Sequence, residues 1–178
     1  MGKWLNKSPR TGPENFKTYK QRGEWVELLF MTRAAKLGFR VSKPWGDSSR
    51  YDVCIEQEGR FKRVQVKCTD RWTGSAYSCG LVAAHQHAYT TKQIDYFAIY
   101  LVPDDVWYIF PAKRLIGQTA VILTPHHEGH QHGRYKEAWD LLDSRKHVAT
   151  RSSENPTQPA KTRNRPRRKI DRADSPSS

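Results

Sequence analysis

The sequence predicts one α/β (α+β) domain in which helices flank a mixed β-sheet. Three observations lead there. The stretch from Trp25 to Leu37 repeats its apolar residues at helical spacing. Several later stretches are short, rich in β-branched and aromatic residues, and separated by turn residues. The resulting order is helix, strands, short helix, strands, helix, the pattern of a sheet layered with helices.

Trp25, Leu28, Leu29, Met31, Ala35 and Leu37 mark the first helix, and Gly38 supplies its stop. A short strand, Phe39 to Ser42, follows. Residues 43–49 read as a loop from Pro44, Gly46, Ser48 and Ser49. Tyr51 to Glu56 is a strand, Glu56 to Arg60 a hairpin turn around Gly59, and Phe61 to Thr69 the returning strand. Tyr77 to Ala83 is a further strand. Thr90 to Asp95 reads as a short helical turn capped by a threonine. Phe97 to Val102 is the most apolar run and fits a central buried strand. After a turn at Pro103–Asp105, Val106 to Phe110 pairs back, Val121 to Leu123 adds an edge, and Tyr135 to Leu142 reads as a closing helix.

The domain is expected over residues 21–147. Residues 1–20, with Pro9, Gly12 and Pro13, form a loose basic arm. Residues 148–178 carry Arg151, Lys161, Arg163, Arg165, Arg167, Arg168, Lys169 and Arg172 among Ser, Pro, Thr and Asn. So little there is apolar that burial cannot offset the entropy of ordering, and a disordered basic tail is expected. The lean composition agrees: 37% hydrophobic residues and a mean hydropathy of -0.84 suit a chain that packs only in part.

A formal net charge of +13 favours an anionic polymer as partner, because each Lys or Arg set against a phosphate releases condensed counterions. Charge alone separates neither nucleic acid from acidic membrane nor binding from catalysis. No apolar run approaches a membrane span, and residues 1–20 lack an apolar export core. Three cysteines, Cys54, Cys68 and Cys79, have no zinc-type spacing and argue against a disulfide framework. The expected compartment is a reducing cytoplasm, with the protein on the nucleoid.

The chemistry lies in Tyr51-Asp52, the hairpin, and Gln65-Val66-Lys67. Strand side chains alternate, so Gln65 and Lys67 point one way while Val64, Val66 and Cys68 point into the core. The hairpin returns the Asp52 strand beside them. Phosphodiester hydrolysis needs this set. A magnesium ion takes oxygen ligands and keeps several waters, and Mn2+ can stand in for it. Asp52 would bind the ion directly, with the Gln65 side-chain oxygen and the Val66 backbone carbonyl completing the protein's share. Lys67 would stabilise charge developing at the attacking water or the phosphate oxygen. Glu27, on the first helix, would hold the ion through water or orient the nucleophile. An ordinary half-exposed strand beside an acid gives the same alternation; the ordered context of acid-bearing helix, loop, Asp-led strand, hairpin and QxK strand favours the catalytic set.

Gly23-Glu24-Trp25-Val26-Glu27, Gly38-Phe39-Arg40-Val41-Ser42-Lys43-Pro44, Tyr51-Asp52 and Arg63-Val64-Gln65-Val66-Lys67 together resemble the PD-(D/E)XK nuclease superfamily. The resemblance leans toward the group I intron-associated, homing-type endonucleases and, more distantly, archaeal Holliday-junction resolvases, and it covers roughly residues 20–142. It implies a restriction-endonuclease-like core of helix, three strands, helix and strand, magnesium dependence and double-stranded DNA as substrate. Two departures stand out. Gln65 occupies the place of the usual second acid, as in intron-type members, and removes one negative charge from the site. Tyr51 replaces the proline before the aspartate. Glu24 and Glu27 share a helix face; Glu27, four after Gly23 as the family's helix acid is, is preferred.

Lys43, Ser48, Ser49 and Arg50 before Asp52, and Arg71 after the QxK strand, are the expected DNA-binding residues. Trp45 either folds onto the core or faces the DNA. His126, His127, His130 and His132 lie in an unpatterned loop without cysteine, a poor structural zinc site; His85 and His87 fit a loop edge near the site. Cutting both strands with so small a domain favours a homo-oligomer, a dimer or tetramer. Two alternatives share these features: a non-catalytic nucleic-acid-binding module on the same fold, kept open by Gln65, and an RNA-processing or RNA-binding protein, supported by charge and aromatic content.

Overall fold

An 18-residue helix, α1 (Tyr19–Lys36), opens the computed structural model, which describes residues 16–46, 48–82, 88–127, 129–143 and 145. Thr18 caps it by accepting the Gln21 N–H at 3.2 Å. Val26, Phe30 and Ala34, at i, i+4 and i+8, are its buried stripe. Gly38 takes a left-handed φ of 87°. Its N–H donates to the Ala35 carbonyl, and the Phe39 N–H to that of Ala34. This doubly bonded exit, a Schellman motif, turns the chain back along the helix.

Seven strands follow among the described residues: β1 (Arg40–Ser42), β2 (Val53–Gln57), β3 (Arg60–Thr69), β4 (Tyr77–Gly80), β5 (Tyr96–Leu101), β6 (Val106–Pro111) and β7 (Ala120–Leu123). Five make one mixed sheet in the order β1-β2-β3-β5-β6, with β3 and β5 parallel and the other pairs antiparallel. Glu58 and Gly59, both at positive φ, close the β2–β3 hairpin as a two-residue turn. β4 and β7 pair apart as a two-stranded sheet.

Both faces of the main sheet are covered. α1 packs Val26, Phe30 and Ala34 on Val53, Ile55, Val64, Val66, Ala98 and Tyr100. The β4–β7 sheet sets Tyr77, Cys79, Val121 and Leu123 against Phe97, Ile99, Leu101, Tyr108 and Phe110. The fold is thus the mixed α+β sandwich expected, with one α-helix among the described residues and a small sheet as the opposite layer. None of the three cysteines is in a disulfide.

Several elements differ from expectation. Val121 to Leu123 joins β4 rather than the edge of the main sheet. β4 ends at Gly80, short of Ala83, which lies outside the described residues. The short turn expected over Thr90–Asp95 is present at residues 91–93, with the Ile94 N–H donating to the Thr90 carbonyl. The closing helix is absent: two short 3-10 turns, Gly133–Tyr135 and Trp139–Leu142, stand in its place. The cause lies between them. Lys136 bridges to Tyr108 on the edge strand β6. Glu137, at φ 49°, donates its N–H to the Trp107 carbonyl. Its carboxylate accepts the Trp107 N–H at 2.7 Å and the Trp139 indole N–H at 2.8 Å. The segment gives up helical bonds to cover an open sheet edge. α1 also begins two residues inside the expected arm; residues 1–15 and the tail from 146 lie outside the described residues.

Glu137→Ala leaves two N–H groups without their acceptor and is expected to lower the unfolding free energy by about 2 kcal/mol, read by urea denaturation. Glu137→Gln should lose less. An unchanged midpoint for the alanine variant would mean that aromatic packing alone holds the closing segment.

Candidate active site

The site forms where β2 stops and β3 continues. The hairpin pairs Gln57 with Arg60 and Val53 with Val64, so the next position back, Asp52, comes level with Gln65. β3 runs on to Thr69 and there, among the described residues, pairs only with β5. Its β2-side edge is therefore open from Val66 onward. Asp52 closes the first step. Its N–H donates to the Val64 carbonyl at 3.0 Å, and its Oδ2 accepts the Val66 N–H at 2.8 Å. Val66 lies two residues past Val64, so its carbonyl faces the same open edge. Gln65 donates its side-chain Nε2 to the same Oδ2. Asp52 Oδ1 remains beyond these bonds.

Gln65 is only 6% exposed, while Arg63 and Lys67 on the same face of β3 are half-buried. Its amide meets Asp52 through nitrogen, whereas metal ligation was expected through oxygen; the amide has to turn over for Oε1 to join a cation held by Asp52. Lys67, on the same face, lays its ammonium over the Tyr89 ring, 5.3 Å from the centroid, and donates to the Val82 carbonyl at 3.4 Å. Tyr89 is itself buried against Phe97.

Glu27 reaches the site from α1, half-buried, and pairs with Lys43 at 2.5 Å. The chain lengths explain the meeting. From Glu27 to Gly38 the helix climbs about 16 Å, and from Gly38 to Lys43 the returning extended chain covers about 16 Å as well. Glu27 acts electrostatically on Asp52, as do Lys67 and Lys43. Glu24 is exposed and is felt by Lys43. The structure thus brings Glu27, Asp52, Gln65, Lys67 and Lys43 together.

Burial pushes the Asp52 carboxyl up to about 6, and the nearby Glu27 carboxylate adds to the push; the Val66 N–H, Lys67 and Lys43 act against it. The Lys43 ammonium is held above its ordinary value, chiefly by its hydrogen bond to Glu27. Among the described residues no three His, Cys, Asp or Glu side chains gather as a metal cluster. The donors that do gather are oxygens: two carboxylates, the Val66 carbonyl and one amide. That set fits a hard divalent cation, and a cation would relieve the cost of two carboxylates at a buried edge. Three of the described histidines have partners elsewhere. His126 pairs with Asp104 at 3.0 Å, and the His130 and His132 rings contact each other. His85 and His87 lie outside the described residues.

Of the expected DNA-binding residues, Ser48, Ser49, Arg50 and Arg71 are exposed, while Lys43 is engaged by Glu27. Trp45 stands 98% exposed and does not fold onto the core. Arg71 lines an open cleft of about 690 Å³ with Tyr19, Arg22, Asp70 and Thr69, the residue two beyond Lys67 on its face. Arg22 pairs with Asp70 there at 2.6 Å. Sequence reasoning missed the Glu27–Lys43 pair and the Tyr89 platform. The first was available in the matched lengths on either side of Gly38; the second had no local signal.

The family described as PD-(D/E)XK endonuclease matches residues 17–142. No curated protein matches the chain. Among solved structures, a bacterial homing endonuclease, I-Ssp6803I, superposes with a TM-score of 0.64 at 24% identity, over 78% of this chain and 100% of that one; at that identity the likeness speaks for the fold.

Asp52→Asn keeps both hydrogen bonds through its amide oxygen and removes a buried charge. The folded carboxyl holds its proton to about pH 6, while the unfolded one ionises near pH 4. The wild type therefore loses stability as pH rises between those values. The melting temperature of the variant is expected to exceed that of wild type at pH 8 and to match it near pH 4. Equal melting temperatures across that window would mean that Asp52 ionises without penalty.

Proposed function

The chain belongs to the PD-(D/E)XK endonuclease family, and we propose that it hydrolyses phosphodiester bonds in double-stranded DNA with the help of a divalent cation, Mg2+ with Mn2+ as substitute. The observation that carries this is the convergence of Glu27, Asp52, Gln65 and Lys67 at the open edge of β3. Asp52 through Oδ1 and the Val66 carbonyl would hold the cation, Gln65 after its amide turns over, and Glu27 directly or through water. The bound ion supplies Lewis acidity and a water of lowered pKa. Lys67, steadied by Tyr89, donates to the attacking water or to a non-bridging phosphate oxygen and offsets the charge that grows there.

Ser48, Ser49, Arg50 and Arg71 flank this edge and are proposed to lie on the DNA backbone, where their contacts position the duplex without reading sequence. The net charge of +13 supports a salt-sensitive hold on a polyanion. No helix among the described residues is long and apolar enough to cross a membrane. We place the protein in the cytoplasm on the nucleoid, as a homo-oligomer that brings two such edges to two strands, in the setting of an intron or other mobile element. A domain over 21–147 with basic extensions on both sides completes the proposal.

A second reading, a non-catalytic DNA- or RNA-binding module, is favoured by one observation: Gln65 stands where a second acid would be and turns its amide nitrogen to Asp52. Plasmid cleavage separates the two. Supercoiled DNA should be nicked and linearised with Mg2+ and left intact in EDTA, and Lys67→Ala or Asp52→Ala should slow the reaction by about a hundredfold or more. Salt-sensitive binding with no turnover in Mg2+ or Mn2+ would decide for the module.

A further inference from the structure

Lys43 is not one of the four catalytic residues, yet it is the residue that Glu27 holds. Its ammonium meets Glu27 Oε2 at 2.5 Å, and it is also attracted by the charges of Asp52 and Glu24. Glu27 is the more enclosed of the two, with its side chain 18% exposed against 51% for Lys43. Three carboxylates are thus served by two ammonium groups, Lys43 and Lys67. Lys67 is tied back to the Val82 carbonyl and the Tyr89 ring. Lys43 is not fixed in that way: it follows the last residue of β1 and precedes Pro44 on an exposed loop. A lysine there can swing its ammonium several ångströms on a flexible four-carbon stem.

We propose that Lys43 is a resident counter-ion of the acidic edge, which a divalent cation must displace from Glu27 and which then turns to a phosphate of the bound nucleic acid. The inference rests on the metal-dependent reading above and deepens it. While Lys43 holds Glu27, one oxygen donor is occupied and a positive charge stands beside the cation's place. Once a phosphodiester lies across the edge, Lys43 exchanges the Glu27 carboxylate for a phosphate oxygen, charge for charge. Cation and nucleic acid therefore favour each other's binding, and the favour is reciprocal. The missing second acid at position 65 makes this coupling sharper, since Glu27 is the carboxylate whose charge acts on Asp52.

The test is Mn2+ binding to the 178-residue chain without DNA, followed by electron paramagnetic resonance. Lys43→Met is expected to bind Mn2+ about tenfold more tightly than wild type, because a like charge near the cation is gone. Lys43→Arg should stay near wild type. Lys36→Met, which removes a lysine from the end of α1, should change affinity by less than about twofold. In Ca2+, the wild type should bind duplex DNA more tightly than in EDTA, and Lys43→Met should lose most of that gain. If wild type binds Mn2+ through Asp52, as judged by loss in Asp52→Ala, but Lys43→Met binds it no more tightly, the counter-ion proposal is overturned and the metal site stands. If wild type binds no Mn2+ with or without duplex DNA, the metal site falls and this proposal with it.

Discussion

The difference in length between two paired strands governs this molecule. β2 has five residues and β3 has ten. A strand that outruns its neighbour exposes backbone donors and acceptors, which is a liability unless something covers them. Here the residue just before β2 does so. Asp52 spends one carboxylate oxygen on the Val66 N–H and leaves the other, with the Val66 carbonyl, at a rim that no further strand of the described residues occupies. The hairpin turn at Glu58-Gly59 fixes the register, so a one-residue slip would move Asp52 away from Gln65 and reverse the faces of Gln65 and Lys67. The site follows from a registration of backbone as much as from a choice of side chains.

Around that rim, charge is arranged against solvation. Asp52 sits where burial opposes its ionisation, and Glu27 brings a second carboxylate to it. Lys67 and Lys43 answer from opposite layers, one braced by the β4–β7 side through Tyr89, the other delivered by the exit of α1. A set of like charges held together at a cost to stability is the usual condition of a site built to bind an ion of opposite sign. The aromatic clamp among Phe30, Trp107 and Trp139 keeps α1 on the sheet, and so holds Glu27 in reach of the edge.

Much of this was legible in the sequence because it is local. The 3.6-residue repeat from Trp25, the stop at Gly38, the turn at Gly59 and the alternation through Val64, Gln65, Val66 and Lys67 each report on a few neighbouring residues. The elements misread were those settled by tertiary partners. Tyr135–Leu142 has the apolar spacing of a helix, yet Glu137 gains more from the Trp107 and Trp139 N–H groups than from helical bonding. Val121–Leu123 looks like any edge strand, and nothing local says that its neighbour is Tyr77–Gly80. In the site, Asp52, Gln65 and Lys67 could be grouped from the hairpin alone, whereas the orientation of the Gln65 amide and the hold of Glu27 on Lys43 depend on contacts across the fold.

The central claim is that the open edge of β3, headed by Asp52, is a divalent-cation site. Anomalous diffraction from crystals grown with Mn2+ tests it most directly. The account predicts a manganese peak bonded to the Asp52 carboxylate and the Val66 carbonyl, on the Lys67 side of the sheet. Manganese bound only at the histidines of residues 126–132, or nowhere on the protein, would contradict it.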